Sequence, residues 1–255
     1  MLVRIIGGHG GVAPGFRATS YLIDGKLLID AGSCATHLQI AEQLNLENIL
    51  ISHAHLDHIK DLAFLCDNCF AQKPNAFEVW SNETILKAIK THLLNDIIWP
   101  DFTKLPSKEN PTMRFNQIAA NEIITLGAYK ILPIHVNHQG DAMGFIVEKN
   151  DISLLFTQDT GPTEKIWQAG KKAKNLKAIF TEVSFPNELA KVAQDSQHLT
   201  PLLLKTEMKK MPDLIPIFLG HLKPHFQAKI FEQVEQLQEP RLTIMGMTDT
   251  NYQFK

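Results

Sequence analysis

Cysteine is scarce: the 255-residue chain has three, Cys34, Cys66 and Cys69. An odd count in a chain of this size argues against a disulfide framework. Cys66-Asp67-Asn68-Cys69 has the C-x-x-C spacing but lacks the second pair that would complete a structural zinc site, so buried or half-buried thiols are expected. No apolar run reaches the ~18 residues that a membrane-spanning helix needs. The opening Met1-Leu2-Val3-Arg4-Ile5-Ile6-Gly7-Gly8 has no charged stretch followed by a long apolar one. No secretory signal is therefore read there, and cytoplasmic residence is expected. Excess charge is also missing. A net charge of −2 gives no overall pull toward nucleic acid or an anionic membrane. Low-complexity tracts, linkers and repeats at a period of roughly 20–50 residues do not occur. What remains is ordinary for a soluble globular chain, with 44% hydrophobic and 20% charged residues. The length fits one sizeable domain, 1–255.

Short apolar strands alternate with amphipathic helices. Leu2–Ile6, Ser20–Ile23 and Lys26–Asp30 read as strands, the last two joined by a tight Asp24-Gly25 turn. Thr36–Leu44 reads as a helix, Asn48–Ser52 as a strand, Glu78–Trp80 as a strand, and Asn82–Leu94 as a helix with Ile85, Ile89 and Leu93 as its stripe. Residues 95–116, rich in Pro, Lys, Asp and Asn, suggest a long surface excursion, of the kind that often carries function. Trp99 and Phe102 within it could pack the excursion or stack on a base. Strands are expected again at Glu122–Thr125, Tyr129–Val136, Gly144–Glu148 and Ile152–Thr157. The tail alternates through Ala178–Thr181, a helical Pro201–Lys210, Ile215–Leu219, a helical Gln227–Gln236 and Leu242–Met245. Two β-rich halves with helices outside them, forming one α/β domain, account for this order.

The most informative stretch is Asn48–His58. An apolar run, Ile49-Leu50-Ile51, stops at His53, His55, Asp57 and His58. Crowding and desolvating such side chains without partners costs free energy, so four of them at the end of a buried strand point to a cation between them. In an extended loop His53 and His55 point the same way. Asp57 and His58 follow and can turn toward a second ion. Two divalent ions need further ligands, and these should sit at the ends of other apolar strands. His138, Asp159 and His221 each lie one to three residues past such a strand. His135 competes with His138 in Ile134-His135-Val136-Asn137-His138, and His138 is favoured. Glu182 and His198 follow elements of the same tail. A carboxylate bonded to one ring nitrogen fixes the tautomer and raises the basicity of the other. Gly7-Gly8-His9-Gly10-Gly11 lacks the Lys-Ser/Thr of a phosphate-binding P-loop and reads as a flexible hairpin near the site.

His53-x-His55-x-Asp57-His58, followed in order by His138, Asp159 and His221, resembles the metallo-β-lactamase superfamily. That resemblance implies a four-layer αβ/βα sandwich, two mixed sheets flanked by helices, with metals at one sheet edge. By the family pattern His53, His55 and His138 hold one ion, Asp57, His58 and His221 hold a second, and Asp159 bridges both. Asp30 matches an aspartate that orients the site. Thr19-Ser20-Tyr21, Ile98-Trp99-Pro100-Asp101-Phe102, Ser184-Phe185-Pro186-Asn187, His198-Leu199-Thr200-Pro201 and His221-Leu222-Lys223-Pro224 are similar to motifs of the class II cyclic-nucleotide phosphodiesterases. The Glu182 and His198 pair resembles the glutamate–histidine dyad of phosphodiesterases in the superfamily.

The resemblance implies hydrolysis of a small-molecule phosphodiester, a 3′,5′-cyclic nucleotide (cAMP or cGMP) opened to the 5′-monophosphate. The attack would come from a hydroxide bridging two divalent ions, with Asp57 orienting it and His198, oriented by Glu182, serving the leaving oxygen. Histidine-rich coordination suits zinc, with manganese or iron as alternatives. The excursion would border the active-site mouth. No membrane partner is expected, and a homodimer stays open. Three rival readings stand beside this one: RNA 3′-end processing, against which the lack of basic bias weighs; lactone or thioester hydrolysis; and a metalloprotein that binds nucleotide without turnover.

Overall fold

The structure, a computed structural model, describes residues 1–246 and 248–255. Two seven-stranded sheets form its centre. The first contains β1 (Leu2–Gly7), β2 (Ser20–Ile23), β3 (Leu27–Ile29), β4 (Asn48–Leu50), β5 (Phe77–Ser81) and β6 (Met113–Gln117). The second contains β7 (Ile124–Leu126), β8 (Tyr129–His135), β9 (Met143–Lys149), β10 (Ile152–Phe156), β11 (Leu176–Glu182), β12 (Ile217–Gly220) and β13 (Leu242–Ile244). The last strand, β14 (Thr250–Gln253), returns to pair antiparallel with β1 and completes the first sheet.

Each sheet begins as an antiparallel meander and continues parallel. β1 to β3 are antiparallel and β3 to β6 parallel. β7 to β10 are antiparallel and β10 to β13 parallel. The sheets are therefore mixed, as expected, and helices flank them. Parallel strands covered by helices are buried on both faces and read as unbroken apolar runs. Ile29, Ile49, Leu50, Phe156 and Phe180 are all fully or almost fully buried. Tyr21 of β2 reaches across to the second sheet, its ring 6.1 Å from Phe156 and 6.2 Å from Phe180. Truncating a core aromatic such as Phe156 to alanine would cost roughly 3–5 kcal/mol.

Parallel strands present their C-terminal ends on one side, where ligand sites of α/β proteins form. Asp30 follows β3, Ser52 and His53 follow β4, Asp159 follows β10, Glu182 ends β11, and His221 follows β12. Asp30, Gln158 and His221 turn out of their strands through left-handed backbone, with φ of 58°, 54° and 57°. Such conformations are uncommon for residues other than glycine and concentrate where a site imposes them.

Two local expectations need correction, one helix goes unread, and the packing reading of Phe102 holds. His53 and His55 lie in extended chain, as read, and the extended stretch ends at His55. Leu56–Cys69 is a helix, with His55 as its N-cap, so Asp57 and His58 project from a first helical turn. The apolar spacing of Ile59, Leu62, Leu65, Cys66 and Cys69 is helical, and all five are buried. The Thr36–Leu44 helix is two short ones, Cys34–His37 and Ile40–Asn45, separated at Leu38, which is extended. The polar excursion ends earlier than residue 116, because β6 starts at Met113 and pairs with β5. Finally, Phe102 is 3% exposed and cannot offer a face to a base, whereas Trp99 is partly buried against Phe64. The Asn82–Leu94 helix is observed as Glu83–His92, capped by Asn82, whose side chain accepts from Ile85 N at 3.0 Å. All three cysteines are free and buried.

Candidate functional site

The seven side chains that the strand-end reading selected come together. Asp159 Oδ2 is the centre. It lies 3.1 Å from His221 Nε2, 3.3 Å from His58 Nε2, 3.7 Å from His53 Nε2 and 4.0 Å from His138 Nε2. His138 Nε2 is 3.3 Å from His55 Nδ1, and His58 Nε2 is 3.3 Å from His221 Nε2. Asp57 Oδ2 is 3.4 Å from His221 Nε2. Among the described residues three sets of potential ligand atoms lie within 4.8 Å of one another: His53, His55, His138 and Asp159; Asp57, His58 and His221; and Asp159, His198 and His221. His135 is not in them. Its Nδ1 faces Asp141 at 3.2 Å, away from the cluster.

A cation fits this donor set. His53 Nε2 and Asp159 Oδ1 are buried without hydrogen-bond partners, which costs free energy unless something else satisfies them. Imidazole nitrogens and carboxylate oxygens at this density suit a divalent ion of the zinc, manganese or iron type. The titration of the groups without a cation shows the same tension. Burial, reinforced by His58, pushes His53 well below the ordinary histidine range. Burial likewise lowers His138 and His55. For His58 burial acts the same way, but the charges of Asp159 and Asp30 override it and raise the imidazole well above its usual value. Burial alone would raise Asp159; the histidines around it, His221 and His58 first, hold it well below the carboxylate range.

Most of the rings are held from behind. Asp30, fully buried, accepts from Ser52 N and Ser52 Oγ, both at 2.8 Å, and contacts His58 Nδ1 at 2.7 Å. Gln158 also donates to it. His138 Nδ1 is 2.9 Å from the Gln197 carbonyl. Close backbone approach matters at two glycines. A Cβ on Gly32 would lie 2.0 Å from the Asp57 carbonyl, so the loop after β3 can pack on the start of the Leu56–Cys69 helix only as glycine. A Cβ on Gly10 would lie 2.7–2.8 Å from His221 atoms. The Gly7–Gly11 stretch thus buttresses His221, whose N donates to the Gly8 carbonyl at 2.6 Å.

Glu182 and His198 form the expected pair, with His198 Nδ1 2.7 Å from Glu182 Oε1. Burial opposes charge on His198, but the carboxylate overrides it and raises the imidazole; the carboxylate is correspondingly lowered against its own burial. The His198 ring stands 4.8 Å from that of His138 and 5.4 Å from that of His221. Sequence reasoning gave no role to Ser52, Gln158 or Ser184. The available signal was a polar residue within two positions of a site residue at the end of an apolar strand.

Residues 26–239 match the family described as the beta-lactamase superfamily domain. A probable 3′,5′-cyclic-nucleotide phosphodiesterase of Yersinia pestis is 25% identical over 211 residues, 72% of this chain and 59% of its own length. A 3′,5′-cyclic-nucleotide phosphodiesterase of Saccharomyces cerevisiae is 23% identical over 218 residues, 76% of this chain and 58% of its own length. The matches thus span under two thirds of these curated relatives. Among solved structures, unliganded yeast PDE1 superposes with a TM-score of 0.78 at 16% identity, covering 95% of this chain and 97% of that one. The metallo-beta-lactamase fold protein YhfI of Bacillus subtilis gives 0.76 at 17% identity, covering 99% of both chains. With the two mixed sheets and the histidine–aspartate cluster at their shared edge, these matches establish that the chain belongs to the β-lactamase superfamily and has the metallo-β-lactamase fold.

Proposed function

We propose that the protein is a dinuclear metal-dependent phosphodiesterase that opens a 3′,5′-cyclic nucleotide to the 5′-monophosphate. One observation carries the reading: four imidazole nitrogens converge on Asp159 Oδ2 beside an oriented Glu182–His198 pair. The relatives named as cyclic-nucleotide phosphodiesterases support the choice of substrate. His53, His55 and His138 would hold one ion, Asp57, His58 and His221 the other, and Asp159 both. Such ions lower the pKa of water and neutralise phosphoryl charge when bound.

The chain's own groups do the rest. Asp57, only partly buried at the rim of the cluster, accepts a hydrogen bond from the attacking water and orients it. Water adds to phosphorus as the bond from phosphorus to the 3′ oxygen breaks, and the proton that the water sheds leaves to solvent, from which His198 is reprotonated for the next turnover. His198, held by Glu182 with Nε2 free, delivers its proton to that departing oxygen, a contribution on the order of 10²–10⁴-fold.

The test is metal quantification on purified protein coupled to a panel of cyclic nucleotides, bis(p-nitrophenyl) phosphate, short RNA and lactones. Two zinc, manganese or iron ions per chain with turnover of cyclic nucleotide are expected. Preferential cleavage of RNA 3′ ends or of lactones would reassign the substrate. Nucleotide binding without turnover across the panel would make the protein a binding module.

A further inference from the structure

A histidine can serve a cation only when the nitrogen facing it is unprotonated and the proton on the other nitrogen is held in place. For His58 the holder is Asp30 directly, at 2.7 Å. For His53 it is Ser52, whose Oγ lies 3.0 Å from Nδ1 and donates to Asp30 at 2.8 Å. One carboxylate therefore orients one ring directly and a second through a serine.

The same arrangement recurs on the second sheet, where nothing in the motif foretells it. Glu182 Oε1 contacts His198 Nδ1 at 2.7 Å. Ser184 Oγ donates to Glu182 Oε2 at 2.6 Å and lies 2.9 Å from His221 Nδ1. The hydroxyl has one hydrogen and a choice of acceptors. The His221 carbonyl is 3.1 Å away, but an ionised carboxylate at the shorter distance makes the stronger bond. With its hydrogen on Glu182, Ser184 has only lone pairs to offer His221, so His221 carries its proton on Nδ1. Nε2, the atom 3.1 Å from Asp159 and 3.4 Å from Asp57, is left unprotonated. His198 Nδ1 is farther from the same hydroxyl, at 3.3 Å, and bonds Glu182 itself. Glu182, Ser184 and His221 are at most 2% exposed, so water does not compete for these bonds.

We infer that Ser184 is a positioning residue that ties His221 to Glu182, so that one carboxylate serves both the metal-holding and the proton-handling halves of the site. The inference rests on the metal reading proposed above. It makes Glu182 more than the partner of His198: losing it should weaken metal binding as well as turnover.

Wild type, S184A, E182Q and the double variant, each as the 255-residue chain, would be stripped of metal and titrated with zinc and with manganese against a chromophoric chelator. Melting would be followed with and without metal. S184A is expected to bind one ion about 10–100-fold more weakly. Its metal-induced rise in melting temperature should shrink, which a merely structural defect would not produce. E182Q, nearly isosteric, should lose metal affinity too, and the double variant should be weaker than wild type by less than the product of the two single effects. Wild-type affinity for both ions in S184A, or in E182Q should S184A fail to fold, overturns the inference alone. Strictly multiplicative effects in the double variant overturn it as well. Wild-type protein that takes up neither metal overturns the metal reading, and this inference falls with it.

Discussion

The two sheets supply the site in different ways. The first contributes His53, His55, Asp57 and His58 from six consecutive positions where β4 runs into the Leu56–Cys69 helix. The second contributes His138, Asp159, Glu182, His198 and His221, which span 84 positions of sequence, counting from 138 to 221. Consecutive candidate ligands share one backbone, so a single carboxylate, Asp30, orients two of them. Dispersed candidate ligands need separate supports: the Gln197 carbonyl for His138, Ser184 and the Gly8 carbonyl for His221. A compact motif is thus stiff by connectivity, and a dispersed one only by packing.

The largest effect should come from Asp159, the side chain at the centre where the two halves meet. In D159N, turnover of the proposed substrate is expected to fall roughly 10³-fold or more, because the central charge is lost. Metal content, measured by elemental analysis, should drop for both of the proposed ions. Retention of one ion at full affinity would show that the halves hold their cations independently.

H198A sharpens the contrast inside the dispersed half. Turnover should fall on the order of 10²–10⁴-fold with metal content unchanged. Loss of an ion along with activity would instead make His198 a ligand, which its place in the Asp159, His198 and His221 set permits geometrically.

The smallest effect lies outside the site, in the excursion before β6. Asp101, 1% exposed, accepts from Thr103 Oγ1 at 2.6 Å and pairs with Lys104 at 2.7 Å and with Lys90. D101N should cost about 1–3 kcal/mol at neutral pH, at the low end because both lysines are partly exposed. Burial would raise this carboxyl, but hydrogen bonds from Lys104 and Lys90 hold it well below the usual range. A depressed carboxylate stabilises the fold above its unfolded value of about 3.9, and that contribution disappears as pH falls from there toward the folded value. Urea midpoints of wild type and D101N should therefore differ most at pH 7 and converge below about pH 4. Turnover should be unchanged, unless the excursion shapes the mouth of the site.

Legibility in the sequence follows the same division. His53 to His58 stood out because crowding four ligand-type residues at a strand end has few other physical reasons. His138, Asp159 and His221 were found because rigid strands expose their ends at one edge. The helix starting at Leu56 was masked by the motif that overlaps its first turn, although Ile59, Leu62 and Leu65 carried its period. β6 was hidden because its alternating Met113-Arg114-Phe115-Asn116-Gln117 sits at the end of a polar stretch. Its pairing with β5 is a long-range choice.

The sequence by itself determined the alternation of strands and helices, the kind of atoms offered at their ends, and hence the chemistry of a cation site. These depend on residue type and on neighbours along the chain. Only the tertiary structure decided that His138 rather than His135 faces Asp159, that Ser52 and Ser184 stand between a carboxylate and an imidazole, and that Gly10 must leave room for His221. Those outcomes depend on where two sheets meet, and a hydroxyl 2.6 Å from a carboxylate has no signature in the spacing of residues.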